Sequence, residues 1–318
     1  MFVIMNLFIL FVSILGLYYG SVFLIKGSVI IAERFNISKM AIAVTLVSAG
    51  TSMPEFFVSF IGGLKGSDNI AVGNIVGSNI TNLLIILGVS GLISPIIISK
   101  TVLKRDYPIV VFVSILLFFM IGDGIISRIE GIILTIFFIL YIYLYSKVFK
   151  SVDTTELAKI EDELKKVSPY KGFIEAIIGI ILLYISSEAL IYSSVNIAKI
   201  IGVSETVIGL SIVALGTSIP ELFTSAIAAF KKEPEIALGN VIGSNFVNIT
   251  MILGLTSLVK PLNVDSSIIN RDIFIMVFIY LIPIIPIIKN RLGRFWSSIL
   301  SIFYIVYILV IYGVFKIV

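Results

Sequence analysis

The chain reads as an all-α membrane protein of ten transmembrane helices, arranged as two inverted five-helix repeats, with helices 2 and 7 broken. Three observations predict this. The 318 residues are 58% hydrophobic and 13% charged, where a soluble domain carries roughly 25% charged residues. Apolar stretches of about 20 residues recur along the chain, which selects helices over the alternating ten-residue strands of a membrane barrel. An ungapped offset of 166 positions aligns residues 17–95 with 183–261, polar and glycine residues included.

Hydropathy places the spans at about 4–32, 38–64, 69–94, 106–121, 127–147, 171–199, 205–230, 235–259, 270–288 and 295–316. The first is too long for a signal-peptide core and lacks a small-residue cleavage site after it, so it is expected to remain as a helix. The second contains Gly50 and Pro54, and the seventh contains Gly216 and Pro220. Proline lacks an N–H and clashes with the preceding turn, so both helices are expected to break there. The third and eighth carry Gly73-x-x-x-Gly77-Ser78 and Gly239-x-x-x-Gly243-Ser244, a spacing that lets membrane helices approach closely. The one long polar connection, 148–170, holds Asp153, Glu156, Glu161, Asp162 and Glu163. It divides a first repeat (1–150) from a second (171–318), with 151–170 as linker and 154–166 as a candidate surface helix.

Five spans per half is an odd number, so the second half enters the membrane upside down. This is the inverted-repeat plan of secondary transporters, whose site lies at the repeat interface near the bilayer midplane. Loop charge sets the orientation. Sixteen of the 23 basic residues fall on the connections after spans 1, 3, 5, 7 and 9, six fall on the opposite side, and Lys26 lies within span 1. The positive-inside rule then puts both termini outside the cell membrane and the 148–170 loop in the cytoplasm.

Composition removes several chemistries. With no cysteine and no histidine, thiolate sites, imidazole ligands and histidine proton shuttles are excluded. A bound metal must be held by oxygen, which favours hard cations such as Na⁺, Ca²⁺ and Mg²⁺. The charge of +4 is not a nucleic-acid signal. Expected partners are inorganic cations and the lipid bilayer, with no nucleic acid, no obligate protein partner and no organic cofactor. No nucleophile–base pair or nucleotide loop points to an enzyme.

The informative feature is a duplicated block. Gly50-Thr51-Ser52-Met53-Pro54-Glu55 recurs as Gly216-Thr217-Ser218-Ile219-Pro220-Glu221. A carboxylate at bilayer depth costs about 2.5–3.5 kcal/mol on insertion scales, and two at matched repeat positions read as two halves of one cation site. Thr51, Ser52, Thr217 and Ser218 add hydroxyls, and carbonyls freed by the prolines add further oxygens. On spans 3 and 8, Ser78 with Asn82 and Ser244 with Asn248 are i, i+4 pairs, each on one helix face. The oxygen supply exceeds the six to eight ligands of one Ca²⁺, so adjacent cation sites are expected. Glu188 in span 6 has Val22 as its mate and stands outside this symmetry; a pair with Lys26 is one expectation for it. Asp123, Arg128, Glu130, Arg271 and Asp272 are expected at the membrane interface. Asn79-Ile80-Thr81 and Asn248-Ile249-Thr250 match a glycosylation pattern but lie inside spans.

At these two blocks, with Gly73-Asn74-Ile75-Val76-Gly77-Ser78 and its second copy, the chain resembles the cation/calcium exchanger superfamily, specifically its sodium/calcium exchanger branch of prokaryotic type. The resemblance covers residues 17–95 and 183–261; elsewhere the spans match in number and hydropathy. It implies alternating access, with Na⁺ and Ca²⁺ as transported substrates occupying overlapping sites in turn. Glu55 and Glu221 would be shared ligands, binding Ca²⁺ with the carbonyls of Thr51 and Thr217. Flanking Na⁺ sites would draw on Ser48, Thr51, Ser52 and Ser244 on one side, and on Ala214, Thr217, Ser218 and Ser78 on the other, with Asn82 and Asn248 in the middle. Some members, potassium-dependent exchangers among them, carry Asp at the Asn248 position. Asparagine in both copies resembles the potassium-independent type. The expected activity is therefore Na⁺/Ca²⁺ antiport; Ca²⁺/H⁺ antiport on the same fold is the alternative, and a cation channel a more distant one.

Overall fold

The computed structural model describes residues 2–34, 48–97, 102–148, 169–230, 234–282 and 291–314. Helix α1 spans Phe2–Arg34. α2 comprises a short turn, Ser48–Thr51, and a longer piece, Met53–Lys65. α3 runs Asp68–Ile93, α4 Lys104–Asp123, α5 Arg128–Val148 and α6 Pro169–Ile201. α7 comprises Glu205–Thr217 and Ile219–Phe230, bent by 47°. α8 covers Pro234–Val247 and continues to Val259. α9 begins with a π-helical turn, Ile268–Asp272, followed by Ile273–Ile279; α10 is Arg294–Ile311. Six described helices are long and apolar enough to cross a membrane unaided, and the bent pair of α7 makes a seventh. The other three, α2, α5 and α9, abut residues outside the described set. The expected linker helix at 154–166 also lies outside it.

The inverted repeat reaches further than the sequence alignment suggests. Ile96–Ile97 (β1) pairs antiparallel with Arg291–Leu292 (β4), and Ile125–Ile126 (β2) pairs antiparallel with Leu262–Asn263 (β3). The offset of 166 carries β1 onto β3 and β2 onto β4, and it carries the register Ile96↔Leu292 onto Leu262↔Ile126. Each repeat thus gives one strand to each of two clasps at opposite ends of the bundle. π-helical turns at Val102–Asp106 and Ile268–Asp272 are related by the same offset, as are those starting at Asn82 and Asn248. So are the ion pairs Arg105–Asp106, at 2.7 Å, and Arg271–Asp272, at 2.9 Å. Spans 4, 5, 9 and 10 therefore match in residues as well as in hydropathy.

α3 and α8 form the centre. From Ile70 to Leu84 every α3 side chain is buried, and α8 is buried over most of its length. α1 and α6 lie outside and expose large apolar side chains such as Phe8, Phe11, Ile177 and Ile181, as lipid-facing helices do. Lipid gives apolar side chains no reason to prefer each other, so close packing and hydrogen bonds hold such a bundle together. The contacts are correspondingly tight at glycine. A Cβ on Gly27 would lie 2.4 Å from the Ala176 nitrogen, and one on Gly179 would lie 2.5 Å from the Leu24 nitrogen, so α1 and α6 touch backbone to backbone. A Cβ on Gly77 would lie 2.5 Å from the Leu210 carbonyl oxygen, which gives the small-residue spacing on α3 its packing role against α7.

Two expectations about charged residues are corrected. Glu188 pairs with Lys65, at the end of α2, rather than with Lys26. α1 and α6 run antiparallel with Gly27 against Ala176 and Gly16 against Ser186, so Lys26 sits about three turns of α6 from Glu188. Asp272 is not interfacial in the solvated sense. It is fully buried, with the Arg271 guanidinium on both its oxygens and the Tyr307 hydroxyl on one. A Gly77→Val substitution must push α7 off α3, and overpacking of this kind costs about 1–3 kcal/mol or more. A lowered thermal unfolding midpoint in detergent is the expected result.

Candidate cation site

The site begins with two matched helix breaks. Ser52 adopts φ −83°, ψ 9° and Ser218 adopts φ −81°, ψ 10°, the sparsely occupied bridge region of backbone space. Each interrupts its helix one residue after Thr51 or Thr217, and a new helix starts immediately, with Pro54 and Pro220 in its first turn. Proline fits there because the first-turn N–H groups have no intrahelical partner. The break thus falls at the serines, two residues ahead of the prolines. Pro54 and Pro220 deny a donor to the carbonyls four residues back, those of Gly50 and Gly216. The Ser52 and Ser218 carbonyls remain in use, accepting from Phe56 N at 3.0 Å and Leu222 N at 3.1 Å.

The restart places Glu55 and Glu221 in the first turn of the second halves of α2 and α7. A helix N-terminus favours negative charge there. Both side chains are fully buried. Each is bonded by a serine of the other repeat. Ser218 Oγ donates to Glu55 Oε1 at 2.8 Å, and Ser52 Oγ donates to Glu221 Oε1 at 3.0 Å. Ser78 and Ser244, on α3 and α8, approach the same Oε1 atoms at 3.4 Å each. The crossed serine bonds bring both acids to one locus at the repeat interface.

Asn74 and Asn240 brace the acids from behind. Asn74 Nδ2 donates to the Glu55 carbonyl at 3.3 Å and to Ser59 Oγ at 2.9 Å, and its Oδ1 accepts from Thr217 Oγ1 at 3.0 Å. Asn240 repeats all three contacts, to the Glu221 carbonyl at 3.3 Å, to Ser225 Oγ at 3.0 Å and from Thr51 Oγ1 at 3.4 Å. The threonine hydroxyls therefore serve this frame across the repeats. The Ala214 carbonyl accepts from Ser218 N, Thr217 Oγ1 and Ser78 Oγ at 3.1, 3.2 and 3.3 Å. Its mate Ser48 opens the short helix Ser48–Thr51.

What remains uncommitted is specific. Among the described residues nine buried side-chain oxygens have no hydrogen-bond partner, and four of these form two pairs at offset 166: Oε2 of Glu55 and Glu221, and Oδ1 of Asn82 and Asn248. The other five have no such mate among the described residues. Buried polar oxygens are expensive when unpaired, and buried charge is normally paired or bound to metal. Two carboxylate oxygens and two amide oxygens, with the serine hydroxyls beside them, form an acceptor set suited to a hard cation. No group of three acids stands among the described residues, so the neutral oxygens are needed to complete a shell.

The structure thus gathers Glu55, Glu221, Ser52, Ser218, Ser78 and Ser244 directly, with Thr51, Thr217 and Ala214 in the frame, while Asn82 and Asn248 lie one helical turn beyond Ser78 and Ser244 with their Oδ1 atoms bare. Four residues with functional positions were not singled out by sequence: Asn74, Asn240, Asn79 and Asn245. All lie inside the repeated Gly-Asn-x-x-Gly-Ser-Asn block, and polar residues repeated in fully buried spans were the available signal.

Two inverted five-helix repeats closing on paired carboxylates define a secondary transporter of cations. Comparison with known proteins narrows this. The family model described as "Sodium/calcium exchanger protein" matches residues 5–147 and again 171–313. The chain is 30% identical over 344 residues to "Sodium/calcium exchanger MaX1" of Methanosarcina acetivorans, covering 96% of this chain and 98% of that protein. It is 33% identical over 255 residues to "Putative antiporter CaxA" of Alkalimonas amylolytica, covering 79% and 80% respectively. A solved structure of the sodium-calcium exchanger NCX_Mj, soaked with 2.5 mM Na⁺ and 0.1 mM Ca²⁺, aligns with a TM-score of 0.66 and 31% identity over 96% of this chain and 98% of that one. The chain belongs to the sodium/calcium exchanger family.

Because Asn74 and Asn240 make equivalent triads, Asn74→Ala and Asn240→Ala each remove three buried hydrogen bonds, to a threonine, a serine and a glutamate carbonyl. A hydrogen bond contributes about 0.5–1.5 kcal/mol. Both variants should unfold at lower temperature by comparable amounts, as measured by detergent-phase thermal denaturation.

Proposed function

We propose that this protein is a Na⁺/Ca²⁺ antiporter that works by alternating access and needs no K⁺. The observation that carries the reading is the symmetric set of four bare buried oxygens, two of them carboxylate, at the boundary of two inverted repeats. Two negative charges balance one Ca²⁺ or two Na⁺. An ion held between Glu55 and Glu221 touches both repeats, so the two cations compete for the same ligands, and exchange follows from that competition. Ser52, Ser218, Ser78 and Ser244 supply neutral oxygens beside the carboxylates, while the carbonyls of Thr51, Thr217 and Ala214, together with Ser48, serve flanking Na⁺ positions. A proton needs no cage of neutral oxygens, which favours Na⁺ over H⁺ as the coupling ion. Asn82 and Asn248 keep the charge at two and leave no third carboxylate for K⁺. The chain lies in the cell membrane with both termini outside and the 148–170 loop in the cytoplasm, joining repeats 1–150 and 171–318.

Proteoliposomes loaded with Na⁺ should take up radiolabelled Ca²⁺ and stop when the Na⁺ gradient collapses. Uptake that persists with a pH gradient and no Na⁺ would replace Na⁺ by H⁺ in the account. Glu55→Gln and Glu221→Gln each delete half of the charge. With half of the cation's charge balance gone, each variant should lose Na⁺-driven Ca²⁺ uptake, and near-normal uptake in either would overturn the shared-site reading. Adding K⁺ should leave Na⁺-driven uptake unchanged, and a steep rise would overturn the potassium-independent assignment.

A further inference from the structure

Asn82 and Asn248 are useful to a cation only if their oxygens face it, because a flipped carboxamide presents N–H donors instead. The hydrogen bonds around them dictate which way each faces. Asn82 Nδ2 donates to Asn245 Oδ1 at 2.9 Å, and Asn248 Nδ2 donates to Asn79 Oδ1 at 3.1 Å. The two bonds are symmetry mates, each crossing the repeat boundary. They leave each amide oxygen unbonded as long as Asn79 and Asn245 keep their own oxygens turned toward the donors.

Those orientations are set by acceptors. Asn245 Nδ2 donates to the Asn79 backbone carbonyl at 3.2 Å, an atom that can only accept, and to the Tyr280 hydroxyl at 2.8 Å. Asn79 Nδ2 faces the Met276 thioether at 3.8 Å, a weak acceptor that cannot donate. Flipping either amide would set its oxygen against an acceptor and its NH₂ against the donor on Asn82 or Asn248. Met276 and Tyr280 are four residues apart and so share one face of α9. The Tyr107 hydroxyl of α4 in turn bonds the Tyr280 carbonyl. The offset maps Met276 onto Val110 and Tyr280 onto Ser114. Val110 has no polar side-chain atom, and the Ser114 hydroxyl, which donates to the Val110 carbonyl at 2.8 Å, also lies against the Tyr280 hydroxyl. α9 therefore anchors both halves of an otherwise symmetric amide cluster.

We propose that Asn79 and Asn245 are positioning residues that lock the two mid-membrane amides oxygen-inward, and that Met276 and Tyr280 of α9 hold the lock. This rests on the exchange reading above, because the locked oxygens matter only if a cation meets them. A donor-only contact cannot replace the lock; the residues at 276 and 280 must accept. The consequence is a selective loss of cation affinity when the lock is weakened, with the carboxylates and the helix breaks left intact.

The test measures Ca²⁺ uptake by the full chain in proteoliposomes, driven by whichever gradient, Na⁺ or H⁺, drives the unsubstituted protein. That control judges the exchange reading by itself. Asn245→Ala should raise the apparent KM for Ca²⁺ about tenfold, with the maximal rate within about threefold of the unsubstituted protein. Met276→Leu and Tyr280→Phe keep shape and volume, which cores tolerate well, so they report on the lock even if Asn245→Ala folds poorly. Each should raise KM measurably, and the double variant should raise it further. KM values equal to the unsubstituted protein in both single variants and in the double, or a fall in maximal rate with KM unchanged, would overturn the proposal.

Discussion

Two like charges buried at one locus, away from water, set the terms for the rest of this structure. Glu55 and Glu221 repel each other and lack solvent, and neither can be relieved by a neighbouring lysine or arginine among the described residues. Each receives instead one hydroxyl from the opposite repeat, one from its own repeat's serine and a helix N-terminus. One oxygen of each is left bare. Bare buried carboxylate oxygens of this kind suit a hard cation, and a fixed positive side chain would fill the place permanently. The helix breaks exist to put a first helical turn at bilayer depth, and lipid tolerates irregular backbone only when protein or a wet cavity surrounds it. α3 and α8 supply that enclosure, which is why they are the most buried helices despite their polar residues.

The inverted repeat follows from the same constraint. A site made of one carboxylate from each of two upside-down copies is equally related to both membrane faces. Serines 52 and 218 cross the boundary, and so do Thr51, Thr217 and the amides of Asn82 and Asn248. Each carboxylate and each of these amides therefore has at least one orienting hydrogen bond from the opposite repeat. The β1–β4 and β2–β3 clasps extend this to the ends of the bundle. Separating or sliding the repeats would disturb the site through several contacts together, which couples the local shell to the global arrangement. Asymmetric elements among the described residues include the ion pairs Lys65–Glu188 and Lys260–Asp68 and the α9 face carrying Met276 and Tyr280.

Much of this was legible in the residues. The constant offset of 166 identified Glu55 and Glu221 as mates, and the odd span count inverted one relative to the other. Proline and glycine located the breaks to within two residues; the shift to Ser52 and Ser218 arises because proline is accepted in the first turn of a restarting helix. Other features were legible but passed over. Arg105-Asp106 and Arg271-Asp272 are identical dipeptides at the same offset, and they extend the repeat beyond residues 95 and 261. The strands carried little signal, being only two residues long and defined by partners more than a hundred positions away. Which asparagine donates to which is likewise a three-dimensional matter. The sequence places Asn79, Asn82, Asn245 and Asn248 in two buried helices, but only the contacts between them leave the Asn82 and Asn248 oxygens unbonded. Glu188 illustrates the same limit, since its partner Lys65 lies on a different helix from the lysine nearest in hydropathy.

The central claim is that one cation is shared by two repeats through Glu55 and Glu221. Anomalous diffraction from crystals soaked in Ca²⁺ or Sr²⁺ tests it most directly. The account predicts a strong peak at bonding distance, about 2.3–2.6 Å for Ca²⁺, from Oε2 of both glutamates, with further oxygens from the serines or the asparagine amides around it. A peak bound by one glutamate alone, or density only at the membrane faces with the Glu55–Glu221 locus empty at saturating cation, would contradict it.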